Sequence, residues 1–165
     1  MTALLLALAV APWTHPLVFH PAPGWQTGAS GNTHSVYVGH QRPVKGALES
    51  AAWTAAGVRY SDPATADPPN VSLTHLSPNG VIVWAVAFSP TSPNEKPIRL
   101  DLARARRYAC CEAVGTAGGE YELSGSGPGG AYSVIVRIYF GSKPTQALRK
   151  RAQHALDRLD LPPGR

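Results

Sequence analysis

Charge and cysteine are both scarce in this chain, and each scarcity narrows what it can be. Only 15% of the 165 residues are charged and the basic ones are scattered, so a net charge of +5 reads as a solvated surface and nucleic-acid binding is not expected. The densest basic runs are Arg104, Arg106 and Arg107, and Arg149 to Arg151. The two cysteines, Cys110 and Cys111, are neighbours, and a bond between adjacent residues closes a strained ring, which argues against a structural disulfide. Lacking CxxC spacing or a nearby histidine, they read as one buried and one exposed thiol rather than a redox or metal-binding pair.

Catalytic and cofactor signatures are missing as well. The six histidines form no HxH, HExxH or CxxCH pattern, so no metal site is expected. There is no Gly-x-Ser-x-Gly elbow and no full phosphate-binding loop, and nothing calls for a cofactor. Glu120 and Glu122 share one face of a strand but are expected to point to solvent, which makes them a poor catalytic pair. No run is long and apolar enough to be a transmembrane segment, and there is no internal repeat.

What is present is apolar content of 44% with sixteen glycines and sixteen prolines placed between apolar runs, the composition of a single loop-rich domain. Residues 1–11 form a signal-like apolar segment that lacks a basic start, so that either the true start lies upstream of Met1 or the run is a buried strand or helix of the fold, and residues 12–165 are the domain itself. Export is favoured over a cytoplasmic location.

The most informative stretch is residues 120–159. Residues 132–140 alternate, with Tyr132, Val134, Val136, Ile138 and Phe140 on one face that must be buried. The glycine-rich residues 125–130 are a hairpin turn, and residues 120–124 the partner strand, with Leu123 opposite Tyr132 and Tyr121 opposite Val134. A helix then carries Leu148, Ala152, Leu156 and Leu159 at helical spacing, with Ser142 as its N-cap, Pro144 in its first turn and Pro162 and Pro163 beyond its end.

Upstream, residues 16–25 read as a first strand ending in a fixed turn with Trp25 capping the core, and residues 35–39 as a second strand. Residues 46–56 favour a helix by their alanines, stopped by Gly57. Residues 58–60 suggest a short strand and residues 67–76 a short helix starting at Asp67. Residues 81–88 are apolar on both faces, as a central strand requires, and residues 98–102 alternate as a half-buried strand. Residues 104–113 read as an irregular connection with a short strand. The sum is an α+β fold: an antiparallel sheet of about five or six strands, a C-terminal amphipathic helix packed on one face, and one or two short helices.

Two groups of residues are candidate ligand contacts. On the second face of the sheet Trp84, Arg137 and Tyr139 could meet an acidic or planar ligand, against the plainer reading that Arg137 pairs with Glu120. Between the last strand and the last helix, Ser142 and Lys143 could hold an anion at free backbone N–H groups, against plain helix capping.

Phe19 to Trp25, Val58 to Pro63 and the final strand–helix unit together resemble the PsbP/Mog1-like group of small α+β proteins. That resemblance implies an antiparallel sheet flanked by helices, export or lipid anchoring in bacterial members, and action by binding partners. The lipobox cysteine of anchored members is absent, and no functional residue is carried over. The bias toward alanine, arginine, glycine and proline looks like that of a high-GC bacterium. The expected function is a non-catalytic binding or accessory protein of the cell envelope, acting through a protein partner or small ligand. The alternative is a small hydrolase or transferase with an anion site at the start of the last helix, using Ser142 with His34 or His75.

Overall fold

The computed structural model describes residues 16–29, 49–58, 76–88, 94–108 and 118–163. Their frame is a six-stranded sheet in the order β2 (Gln26–Ala29), β3 (Glu49–Ala56), β4 (Val81–Phe88), β7 (Ser133–Phe140), β6 (Glu120–Ser126) and β5 (Arg106–Tyr108). Every neighbouring pair in it is antiparallel. A second, two-stranded sheet joins β1 (Val18–Phe19) to β8 (Leu159–Asp160). Among the described residues there is one α-helix, α1 (Gln146–Leu156), and two 3-10 turns, at Leu102–Arg104 and Pro128–Gly130. No described helix is long and apolar enough to cross a membrane.

β4 is the inner strand that its sequence demands. It pairs with β3 on one side and β7 on the other, and its residues from Val81 to Ala87 are all buried. Val134, Val136, Ile138 and Phe140 of β7 lie with Val81, Val83, Ala85 and Ala87 of β4 on one face. That face meets Leu148, Ala152, Ala155 and Leu156 of α1, so the helix covers it as the apolar alternation requires. Each fully buried valine, isoleucine or leucine there contributes roughly 1.5–3 kcal/mol, which makes this layer the main source of stability. Trp25 packs at its margin, as its place after the first strand suggested.

Four expectations are corrected. Residues 49–56 are a strand and not part of a helix, because pairing with both β2 and β4 buries Ala51, Ala52, Ala55 and Ala56 on opposite faces of the chain. Alanine's helix propensity, high as it is, loses to two ladders of hydrogen bonds. Gly57 still ends the element, at φ 69°, but as the stop of a strand.

The hairpin register is offset by four residues from the expected one: Leu123 faces Val136 and Tyr121 faces Ile138. Since the offset is even, both side chains keep their face. β6 runs on through Ser126 because residues 96–98 lie against it, with Ser126 N–H donating to the Lys96 carbonyl at 2.8 Å and Ile98 N–H to the Ser126 carbonyl at 2.8 Å. Only glycine fits at 125, where a Cβ would sit 2.6 Å from the Lys96 carbonyl oxygen.

Residues 98–102 do not form a strand. One parallel bridge, Pro97 to Ser126, ties the segment to the sheet, and Asp101 then caps the 3-10 turn by accepting from Ala103 N–H at 2.9 Å. Ile98 and Leu100 nonetheless pack on the core while Arg99 is exposed, so the alternation survives without the ladder.

The last helix starts and stops inside its expected bounds. Thr145, not Ser142, is the N-cap, accepting from Leu148 N–H at 3.2 Å, and the helix ends at Leu156. Leu159 instead pairs with Phe19 across the small sheet. Of the short helices expected, the one at 46–56 is β3, while residues 67–75 lie outside the described residues. The strands expected at 35–39 and 58–60 lie outside them too, apart from Val58, as do residues 1–11, Cys110 and Cys111.

Candidate functional site

Strand alternation puts a different chemistry on the second face of the sheet. Register carries one row straight across five strands, Trp53 to Trp84 to Arg137 to Glu122 to Arg106. The next row runs Ala55, Ile82, Tyr139, Glu120 and Tyr108. The β3–β4 half of the face is therefore apolar, with Leu76 packed on it, and the β6–β5 half is polar. Arg137 stands at the boundary.

Its guanidinium makes two side-chain hydrogen bonds and packs against two rings. Nε donates to Glu122 Oε2 at 3.1 Å and Nη2 to the Tyr108 hydroxyl at 2.9 Å, while Cζ lies 4.3 Å from the Tyr108 ring centre and 5.8 Å from that of Trp84. Side-chain exposure of only 16% for Arg137 and 21% for Glu122 makes this a largely desolvated ion pair. The expected pairing of Arg137 with Glu120 is corrected: direct register selects Glu122, and Glu120 falls opposite Tyr139. The expectation that both glutamates point to solvent is corrected: Glu120 is buried, and Glu122, 21% exposed, is turned to Arg137 at the edge of the face.

Glu120 and Tyr139 form the interior end of this network. Burial lifts the Glu120 carboxyl above its ordinary 4.5, with the Arg137 charge and the nearby Tyr139 hydroxyl pulling the other way. The Tyr139 hydroxyl is pushed strongly upward by burial first and then by the Glu120 charge, against the influence of Arg137. It is buried with no partner in ideal hydrogen-bonding geometry among the described residues, yet it lies close enough to feel both Glu120 and Arg137. Desolvation works against the Arg137 charge, yet Tyr139, Glu122 and Tyr108 together outweigh it and hold that guanidinium more firmly protonated than usual.

Trp84, Arg137 and Tyr139 are thus brought together, while Ser142 and Lys143 are not part of their cluster. Those two are exposed beyond the end of β7, where Gly141 N–H donates to the Gly80 carbonyl and Lys143 N–H to the Pro78 carbonyl, both at 2.9 Å. Two of the backbone donors expected to hold an anion are consumed in docking this corner onto the 77–80 turn. His34 and His75 lie outside the described residues, which contain no group of three or more side chains able to hold a metal.

A solvent-open basin of about 580 Å³ adjoins the polar half of the face. Lys96, Arg99, Arg104 and Arg106 line it, together with Glu122, Ser124 and the apolar Pro97 and Leu123. Its floor is a gap in the sheet edge. β5 pairs with β6 only as far as Glu122, and the bridge from residue 97 resumes at Ser126. Ladder groups alternate sides along a strand, so Ser124, two residues from the outward-bonded Ser126, turns its N–H and C=O into the gap. Charge balance within the basin is strongly positive. Glu122 already binds Arg137, the neighbouring Glu95 turns its carboxylate to the Ser133 hydroxyl, and Asp101, which accepts from Ala103 N–H, lies 3.5 Å from Arg104 in an exposed pair that offsets little of that cation's charge.

Sequence reasoning grouped Arg104 and Arg106 with Arg107, and it missed Lys96 and Arg99. Arg107 belongs to the other side of β5, opposite Tyr121. The overlooked signal was the exposed parity of Arg99 between Ile98 and Leu100, which sends its side chain away from the core. Compared with protein-family models, curated proteins and solved structures, the chain matches none.

Proposed function

We propose that this chain is a non-catalytic binding or accessory protein that takes an anionic ligand at the β5–β6 edge. The observation that carries the reading is the open basin where Lys96, Arg99, Arg104 and Arg106 converge while Glu122, the only acid among the described residues of its lining, is already paired. Four hydrated cations held at close range repel one another, and an anion that enters relieves that repulsion. The Arg137 cluster, by contrast, supports the wall of the basin: its guanidinium is bonded to Glu122 and Tyr108 and is poorly exposed.

A hydrolase or transferase reading has less behind it, because Gly141 and Lys143 spend their N–H groups on the 77–80 turn. Nucleic-acid binding is also disfavoured. Arg106 and Arg107 face opposite sides of β5, and Arg149 is drawn over the Tyr121 and Phe140 rings at 5.3 and 5.2 Å, so the basic residues do not make one continuous stripe. The likeness to the PsbP/Mog1-like group, a bacterial source and an envelope location belong to the same proposal and rest on the sequence.

Native mass spectrometry of the full chain from its own host tests it. A co-purified acidic species or partner, lost in an Arg99→Gln/Arg106→Gln variant, is the expected result. Turnover of simple esters that disappears in Ser142→Ala would overturn the reading in favour of the enzyme.

A further inference from the structure

Resting on the anion-binding reading above, we infer that the basin selects a compact polyphosphate group, two or three linked phosphates, over a carboxylate-bearing or aromatic ligand. Three observations point the same way. The first is charge density: four cations line a space of about 580 Å³, within the roughly 300–1,000 Å³ usual for small-ligand sites. Matching them takes about three to four negative charges within a few ångströms of one another, which a short polyphosphate supplies.

The second is donor geometry. Three of the four cations are arginines, whose planar forks bind phosphate oxygens in pairs, and Lys96 adds a point charge. They come from three separate places in the chain, the 96–99 segment, the Leu102–Arg104 turn and β5, and all four line the one space. At the floor the outward N–H of Ser124 offers a neutral donor, with its hydroxyl beside it on an exposed side chain. Glu122 is the one anionic group among the described residues of the wall, and the Arg137 guanidinium bonded to its Oε2 offsets its charge.

The third is what the lining omits. Among the described residues of the lining Pro97 and Leu123 are the only apolar ones and none is aromatic, so these residues give a nucleobase nothing to stack on and an acyl chain no slot. Recognition is therefore confined to the phosphates, whether inorganic or carried on a larger molecule.

Isothermal titration of the full chain with inorganic tripolyphosphate, ATP and citrate tests this. Tripolyphosphate is expected to bind one to one, with ATP no more than about threefold tighter and citrate at least tenfold weaker. Arg99→Gln and Arg106→Gln, both at exposed positions, should each weaken tripolyphosphate about tenfold, while Lys150→Gln on the far side of α1 leaves it unchanged. Raising the salt concentration should weaken it further. Citrate binding as tightly as tripolyphosphate would overturn the polyphosphate inference and leave the anion-binding reading in place. Tighter binding of ATP by more than tenfold would overturn the claim that only phosphates are read, and heat from none of the three would overturn both. Unchanged far-UV circular dichroism in each variant separates lost binding from lost folding.

Discussion

Replacing Arg137 by leucine tests the polar half of the sheet most directly. The substitution removes the 3.1 Å bond to Glu122, the 2.9 Å bond to the Tyr108 hydroxyl and the packing over the Tyr108 and Trp84 rings. It leaves Glu122 charged at 21% exposure, with the exposed Arg106 opposite it on β5 as the cation that remains among its register partners. Breaking a buried pair from one side costs roughly 3–5 kcal/mol, and the residual exposure of both partners puts this case at about 3 kcal/mol. For a chain of 165 residues that lowers the melting temperature by about 6–12 °C. Glu122→Leu should cost less, about 2 kcal/mol, because Arg137 keeps Tyr108 and the aromatic surface. The double variant removes both charges at once and should cost about 3 kcal/mol, well short of the sum of about 5, giving a coupling energy of about 2 kcal/mol. Urea unfolding followed by circular dichroism measures all four corners of the cycle, with unchanged slopes showing that the denatured state is comparable. Costs that add to within about 0.5 kcal/mol would refute the pair as a coupled, desolvated unit.

Glu120 should make the protein less stable as pH rises. Its folded-state value lies above 4.5, so the folded chain holds that proton more tightly than the unfolded chain, and stability falls as pH climbs from about 4.5 through the raised value. Glu120→Gln should therefore raise the melting temperature at pH 7, and the gain should vanish below pH 4; a gain independent of pH would show that burial of the charge is not its origin. Thr145→Ala should cost about 1 kcal/mol as the lost N-cap, whereas Ser142→Ala should change stability by less than about 0.5 kcal/mol, both read from thermal melts. Gly125→Ala should cost about 2 kcal/mol or more and weaken anion binding, because its Cβ would press on backbone at Lys96 and Ile98 that cannot swing aside and would push the cation-bearing segment off the sheet edge. Wild-type melting and titration would show that crowding to be relieved elsewhere.

How far residues alone determined this protein depends on whether their pattern was local. The alternation in residues 134–140, the two-faced apolar run of β4 and the helical spacing of Leu148, Ala152 and Leu156 each state which side is buried, and the sheet and the helix on it follow. Face assignment on β6 was legible even though the register was off by four, because an even slip preserves parity. What tertiary structure decided was everything that needs a distant neighbour. Alanines in β3 became a strand only because β2 and β4 flank them, and Leu159 left the helix to pair with Phe19, 140 positions away. The grouping of Trp84, Arg137 and Tyr139 was readable from alternation on β4 and β7, but the choice of Glu122 over Glu120 required the register. The basin could not be read at all. Its cations come from a loop, a turn and an edge strand that carry no common periodicity, and only the gap at Ser124 brings them around one space.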